Sequence, residues 1–423
     1  MKPKNSHVSS IAGWCRGGLL GLLVLSATGC STKVQQLHST DWVQNPSATQ
    51  RIIADVEVYR HLRHIDPSDL PRAMHKITPE MGAAMDRLFN GRRNFTRELA
   101  AGKIAKWLID DDGLGLEYDV EANFIPADAF TERRANCLSF TLLLHALTDY
   151  MGIAIHINEV DIPTNWGLNS SESMVFYRHV NAVQLANARR QVFDLALDQY
   201  RFDYPQRRIS LEHGYAQLLS NRAIDALNAD DLKRAHHLMK LALSIYGRDA
   251  NLWVNYGVIS EHLGDDTTAE LVFRHALAID PMTLVAVTNL ARFLEEQNSW
   301  EESRQLQDVA EWIRRTNPYY HYLTAQDLIS AGELQEAKAH IDSAIRLHSE
   351  DARFYAVRSR IAIADNRYRK AYSDMKKAYR LSQLPEERNA FGSKAAWIAT
   401  QSNSRAKQQN ARYLQDLQQG ITN

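Results

Sequence analysis

Small residues return every 34 positions through the second half of the chain, and no other feature narrows its fold as much. One series is Ala235, Ala269, Ser303, Ala337 and Ala371; a second is Ala223, Gly257, Ala291, Ala325 and Ser359; a third is Ala242, Ala276, Ala310, Ala344 and Ala378. No insertion disturbs the step. Two antiparallel helices approach closely only where the facing side chains are small, so a constant spacing of small residues predicts a repeated helix pair. Larger residues such as Met239, Phe273, Ile341 and Met375 would fill the space between neighbours, and Ser303 reads as a stand-in for alanine. Five units follow, at roughly 216–249, 250–283, 284–317, 318–351 and 352–385.

The segment Trp253 to Pro281 resembles the tetratricopeptide (TPR) pattern, with Trp253, Tyr256, Gly257, Ala269, Phe273, Ala276 and Pro281 at that family's spacings. The resemblance implies an all-α TPR solenoid with protein or peptide partners in a concave groove; a dimerisation or spacer solenoid is the alternative. Each unit has too little core alone, so the last one needs a polar outer face. Residues 386–423 read as a C-terminal capping helix and tail, with Phe391, Ala395, Trp397 and Ile398 on the apolar side.

The opening of the chain predicts export. Lys2, Lys4 and Arg16 precede an uncharged run from Gly17 to Ala27 that is too short to cross a bilayer core of about 30 Å as a helix. It leads into Ala27-Thr28-Gly29-Cys30, which resembles the lipobox of bacterial lipoproteins, apart from Ala27 where Leu is commonest. That implies a lipoprotein signal peptide over 1–29 and an acylated Cys30 holding the chain to a membrane. An ordinary signal peptide with Cys30 a bystander is the other reading. Ser31 after the cysteine implies the outer membrane, facing the periplasm, and polar residues 30–50 read as a tether. Residues 1–29 carry three basic and no acidic side chains, so without them 46 basic residues stand against 50 acidic, a net charge of −4. That balance argues against electrostatic nucleic-acid binding.

Between tether and repeats, residues 51–215 mix periods. Met81 to Ile109 is helical with a break near Asn90-Gly91, and Leu138 to Tyr150 is an apolar helix that must be buried. Strands are expected at Ile153–Val160, Met174–Leu185 and Gln191–Leu197. Helices first and an antiparallel sheet after is an α+β order.

Cys137 lies just before the apolar helix, in TERRANCLSF, and, with the signal removed and Cys30 acylated, is the one free thiol left. A helix N-terminus favours a thiolate, which makes Cys137 a candidate nucleophile; a buried inert cysteine is the plain alternative. His179 and Asp194 lie in the next two expected strands. A turn centred between Ala186 and Asn187 would set them directly opposite, with Cβ atoms about 5 Å apart, so that the carboxylate orients the imidazole toward the thiolate.

Cysteine at a helix start, then histidine and aspartate on adjacent antiparallel strands, resembles the transglutaminase-like branch of the papain-type cysteine enzymes over roughly residues 85–200. The segments TERRANCLSF, RHVNAV and QVFDLAL carry the likeness. Asn136 stands where Gly often precedes the cysteine, and no Trp follows His179. The resemblance implies acyl transfer on an amide: Cys137 attacks a carbonyl, His179 moves the proton, and the thioester passes to water or to an amine. Besides the Cys137 N–H, no oxyanion donor is assigned. A non-catalytic scaffold lipoprotein is the competing reading.

No cofactor or metal motif is expected. Asp110-Asp111-Asp112-Gly113 lacks the alternation of a calcium loop and reads as a solvated turn. His61 with His64, and His236 with His237, lack further zinc ligands and read as surface histidines. Trp107, Trp166 and Trp312 read as packing residues, and Asn165-Trp166-Gly167 as a loop able to overhang the cysteine.

Overall fold

The structure, a computed structural model, describes residues 45–62, 65–66, 69–89, 96–160, 179–186, 189–195, 206–382 and 388–402. Its first helix, α1 (Pro46–Val58), begins inside the stretch expected to be a tether: the Asn45 side chain accepts the Ala48 N–H, and Pro46 sits in the first turn with its φ already helical. A short 3₁₀ turn (Tyr59–His61) follows, then α2 (Pro71–Met74), α3 (Pro79–Leu88) and α4 (Arg97–Ile109). The expected break in the Met81–Ile109 helix thus separates two helices.

Next come β1 (Glu117–Tyr118), α5 (Pro126–Glu132), β2 (Arg134–Ala135) and α6 (Cys137–Tyr150). Four further strands, β3 (His156–Val160), β4 (His179–Ala186), β5 (Arg189–Phe193) and β6 (Gln206–Ile209), form an antiparallel sheet in the order β5-β4-β3-β6. Ten of the fourteen residues of α6 are buried, as its apolar sequence requires. Phe140, Leu143, Leu144 and Leu147 meet Met85 of α3, Ile104 and Leu108 of α4, and Ala182 and Phe193 of the sheet in one core. β3 starts three residues later than expected, and β6 had no counterpart in the sequence reading because its four residues include two exposed arginines. Residues 174–178 and 196–197 of the other two expected strands lie outside the described residues.

The rest is helical, in pairs: α7 (Leu211–Asn228) with α8 (Leu232–Ile245), α9 (Ala250–His262) with α10 (Asp266–Ile279), α11 (Leu284–Glu296) with α12 (Trp300–Thr316), α13 (Pro318–Ala331) with α14 (Leu334–Leu347), and α15 (Ala352–Ala364) with α16 (Tyr368–Leu381). α7 begins five residues before the expected first unit, where the Ser210 side chain accepts the His213 N–H. All fifteen small positions of the 34-residue register are buried. A Cβ at Gly257 would come within 2.3 Å of the Phe273 ring, so only glycine fits that crossing. Ser303 does more than stand in for alanine: its hydroxyl donates to Ala291 O across the helix pair at 2.8 Å, and Ser359 returns the arrangement to Ala371 O at 2.8 Å.

The turns inside the pairs repeat as well. Asp230, Gly264, Asn298, Gly332 and Asn366 all have positive φ, between 59° and 84°, and follow one another at the same step of 34. A left-handed residue after a helix ends it and frees the chain to reverse. Residues 388–402 are helical and pack Ala395 and Ile398 against Met375 and Ala378, as a cap should. Trp397 is not part of that buried face: it is 44% exposed, with the Lys394 ammonium over its ring.

Candidate active site

The start of α6 is set by Asn136, whose side-chain oxygen accepts the Ser139 N–H at 2.9 Å. Ser139 in turn donates its hydroxyl to Ala122 O (2.7 Å) and accepts the Phe124 N–H (2.9 Å), which locks the preceding loop against the helix. Asn136 is therefore the N-cap of α6. Cys137, the first residue of α6, is partly exposed and is the one free cysteine among the described residues.

His179 opens β4 and is 6% exposed; Asp194 lies one residue beyond β5 and is 3% exposed. The His179 Nε2 and Asp194 Oδ2 atoms are 2.5 Å apart. Burial by itself would lower the His179 pKa, but hydrogen bonds to Asp194 and to Cys137, with the negative charge of both, outweigh it and push the pKa up to about 10. At neutral pH this ring is an imidazolium held between a carboxylate and a sulfur.

The structure brings Cys137, His179 and Asp194 together, but not through the expected register. Ala182 pairs with Phe193, Val183 with Val192 and Ala186 with Arg189, so the midpoint of the register falls one residue later than expected. Continued by one residue, that ladder sets Asp194 opposite Asn181, two positions from His179. An offset of two keeps both side chains on the same face of the sheet, and the reach of the imidazole closes the diagonal.

Two polar networks around α6 had no local motif to announce them. Asn123 Oδ1 accepts the Asn136 amide (2.8 Å) and the Asn221 amide (3.1 Å), while Asn123 Nδ2 donates to Asp225 Oδ2 (2.8 Å). They tie the cap of the cysteine helix to α7. On the other side, Glu159 of β3, His213 and Gln217 of α7, and Asp249 before α9 form a buried cluster. Between α6 and the first two helix pairs lies a small solvent-open cleft, lined by Leu138, Gln217, Asn221, Asp249, Asn251 and Asn255 among others.

Other expected sites resolve plainly. Cys30, His64 and Asn165-Trp166-Gly167 lie outside the described residues. Asp110 to Gly113 is a turn closed by the Gly113 N–H on Asp110 O, and His61 is exposed. His236 and His237 are not surface residues: both are half-buried, facing the Tyr256 and Tyr59 hydroxyls at 3.3 and 2.9 Å, because α1 covers that side of α8. Trp107 packs on Phe130 at the edge of the core.

No family model and no curated protein matches the sequence. Among solved structures, the chain is similar to pilF of Pseudomonas aeruginosa (16% identity over 45% of this chain and 87% of that one, TM-score 0.24). It is also similar to a thermophilic TPR protein of Thermus thermophilus (16%, 43% and 99%, TM-score 0.23). A third is YrrB, described as a TPR protein with an unusual peptide-binding site (16%, 41% and 89%, TM-score 0.22). TM-scores this low carry no argument about this chain; its TPR-like array stands on the 34-residue geometry above.

Proposed function

We propose that this chain is a protein-binding scaffold whose TPR-like array receives an extended stretch of a protein or peptide partner in the cleft beside α6. The observation that carries this is the lining of the cleft by the carboxamides of Asn221, Asn251 and Asn255, with the Asn255 Oδ1 buried and unpartnered. Each carboxamide offers both a donor and an acceptor, which suits a peptide backbone whose N–H and C=O groups both need partners. Peptides selected by display on the full chain should bind Asn255→Ala at least about tenfold more weakly, the loss of one well-placed hydrogen bond. A selected peptide that binds both proteins alike would count against the cleft, and failure to select any peptide would remove the reading.

A second reading adds chemistry, and the 2.5 Å His179–Asp194 pair beside Cys137 favours it. The Cys137 thiolate adds to an amide carbonyl, forming a C–S bond while the carbonyl π pair moves to oxygen. The Cys137 N–H at the start of α6 faces that oxygen. The His179 imidazolium gives its proton to the departing nitrogen as the C–N bond breaks, leaving a thioester. The neutral ring then takes a proton from water or a second amine as it attacks, and the thiolate departs. Iodoacetamide rates test this directly. At pH 7, His179→Ala should alkylate about tenfold more slowly or worse, and Asp194→Asn should lose turnover more than alkylation. Equal slow rates in all three proteins would mean an inert cysteine.

The export reading supplies the setting: cleavage before Cys30 and acylation of its thiol would anchor the chain in the cell envelope, on the periplasmic face of the outer membrane. Cys30→Ala should move the protein from the membrane pellet to the soluble fraction; retention in the pellet would defeat the anchor.

A further inference from the structure

The Glu159 cluster contains a hydrogen-bonding contradiction. Glu159, His213, Gln217 and Asp249 are each more than nine-tenths buried, and they come from β3, from successive turns of α7, and from the cap of α9. Ligand atoms of Glu159, His213 and Asp249 all lie within 4.8 Å of one another. Arg207 Nε donates to Glu159 Oε1 at 2.8 Å, which offsets one carboxylate from the outer side. Inside, His213 Nε2 is 2.8 Å from Asp249 Oδ2 and 3.3 Å from Gln217 Nε2. The carboxylate requires a proton on that nitrogen, whereas the amide N–H requires a lone pair there, and one nitrogen cannot supply both. Gln217 Oε1, meanwhile, is buried with no partner.

Turning the Gln217 carboxamide over would cure the orphaned oxygen only by placing it among other acceptors, since the present Nε2 position is 2.6 Å from Glu159 Oε2. Four acceptors facing one point are stable around a cation. We propose that Glu159, His213, Asp249 and Gln217 form a binding site for one divalent transition cation of the zinc type. With the ion in place, His213 Nε2 offers its lone pair, Asp249 Oδ2 and Glu159 Oε2 supply charge, and Gln217 Oε1 completes the set. An imidazole nitrogen among the donors disfavours calcium and magnesium, which take oxygen ligands. The His213 ring is held in one orientation by stacking on Tyr246, with centroids 4.0 Å apart and planes 8° from parallel. Gln217 and Asp249 also line the open cleft, so an ion has a way in. Four protein ligands make this a structural site, one that pins the sheet to the first two helix pairs, and it is independent of the chemistry at Cys137.

The full chain, stripped with a chelator, should take up about one equivalent of Co²⁺ with a visible absorption band, and Zn²⁺ should displace it and raise the melting temperature. Asp249→Asn keeps a good helix cap but removes a charged ligand, and should weaken Zn²⁺ binding about tenfold or more; His213→Gln should abolish it. Absence of saturable Co²⁺ and Zn²⁺ binding would overturn the proposal. So would binding that Asp249→Asn leaves unchanged, since the ion would then sit elsewhere.

Discussion

His75 and His179 show one side-chain type driven in opposite directions. His75 Nδ1 is 2.9 Å from the Tyr215 hydroxyl, and its Nε2 is 3.2 Å from His145 Nδ1. Burial first, then repulsion from His145, lower its pKa to about 4 against the opposing pull of Asp149. Unfolded chains therefore take up a proton between pH 6.5 and about 4 that the native protein refuses, so stability falls as pH drops through that window, by up to about 3 kcal/mol. His179 works the other way: its raised pKa gives a contribution fully present below pH 6.5 and lost as pH climbs toward 10. Melting temperatures between about pH 7 and about pH 4.5 should drop less steeply in His75→Asn than in the wild type, and parallel curves would contradict the assignment. At this scale, the sequence disclosed which residues share a face but not their register. The pairing of His179 with Asp194 survived a misplaced turn centre because face parity tolerates an even slip, whereas Asn123, 13 residues from Asn136 and 98 from Asn221, left no spacing to read.

Among the elements, the helix-pair turns offer the clearest test. Gly264 and Gly332 adopt the left-handed conformation freely, but Asp230 holds φ at 60° with a side chain in the way. Asp230→Gly should raise stability by up to about 1 kcal/mol. Ala276→Leu, at a fully buried crossing, should cost about 1–3 kcal/mol, and Ser303→Ala about 1 kcal/mol through loss of its bond to Ala291 O. Denaturant midpoints of the three variants check the order, and a gain from Ser303→Ala would show the cross-helix bond to be idle. The 34-residue period was legible because the same contact is made five times over. β6 and the start of α1 were not: one is a four-residue strand with two arginines that exists because β3 offers it an edge, and the other depends on a single asparagine cap.

Across the whole molecule, the cysteine helix and the array are joined through amides rather than a linker. Asn123→Ala would leave the buried Asn136 amide and the Asn221 amide without their shared acceptor, at a cost of about 1–3 kcal/mol. Because Asn136 also caps α6, the same substitution should slow alkylation of Cys137; an unchanged rate would show the cap to be self-sufficient. The first helix pair is further covered by α1, which packs on α8 and α10, with Lys240 paired to Asp55. Among the described residues, the opposite end of the array is covered by the helix at 388–402 alone. A stack of nearest-neighbour units fastened more heavily at one boundary than at the other behaves like a zipper with a single slider. Opening should start at α16 and travel toward α7, and whole units could be added to or removed from the far end while the sheet and its cysteine stay untouched.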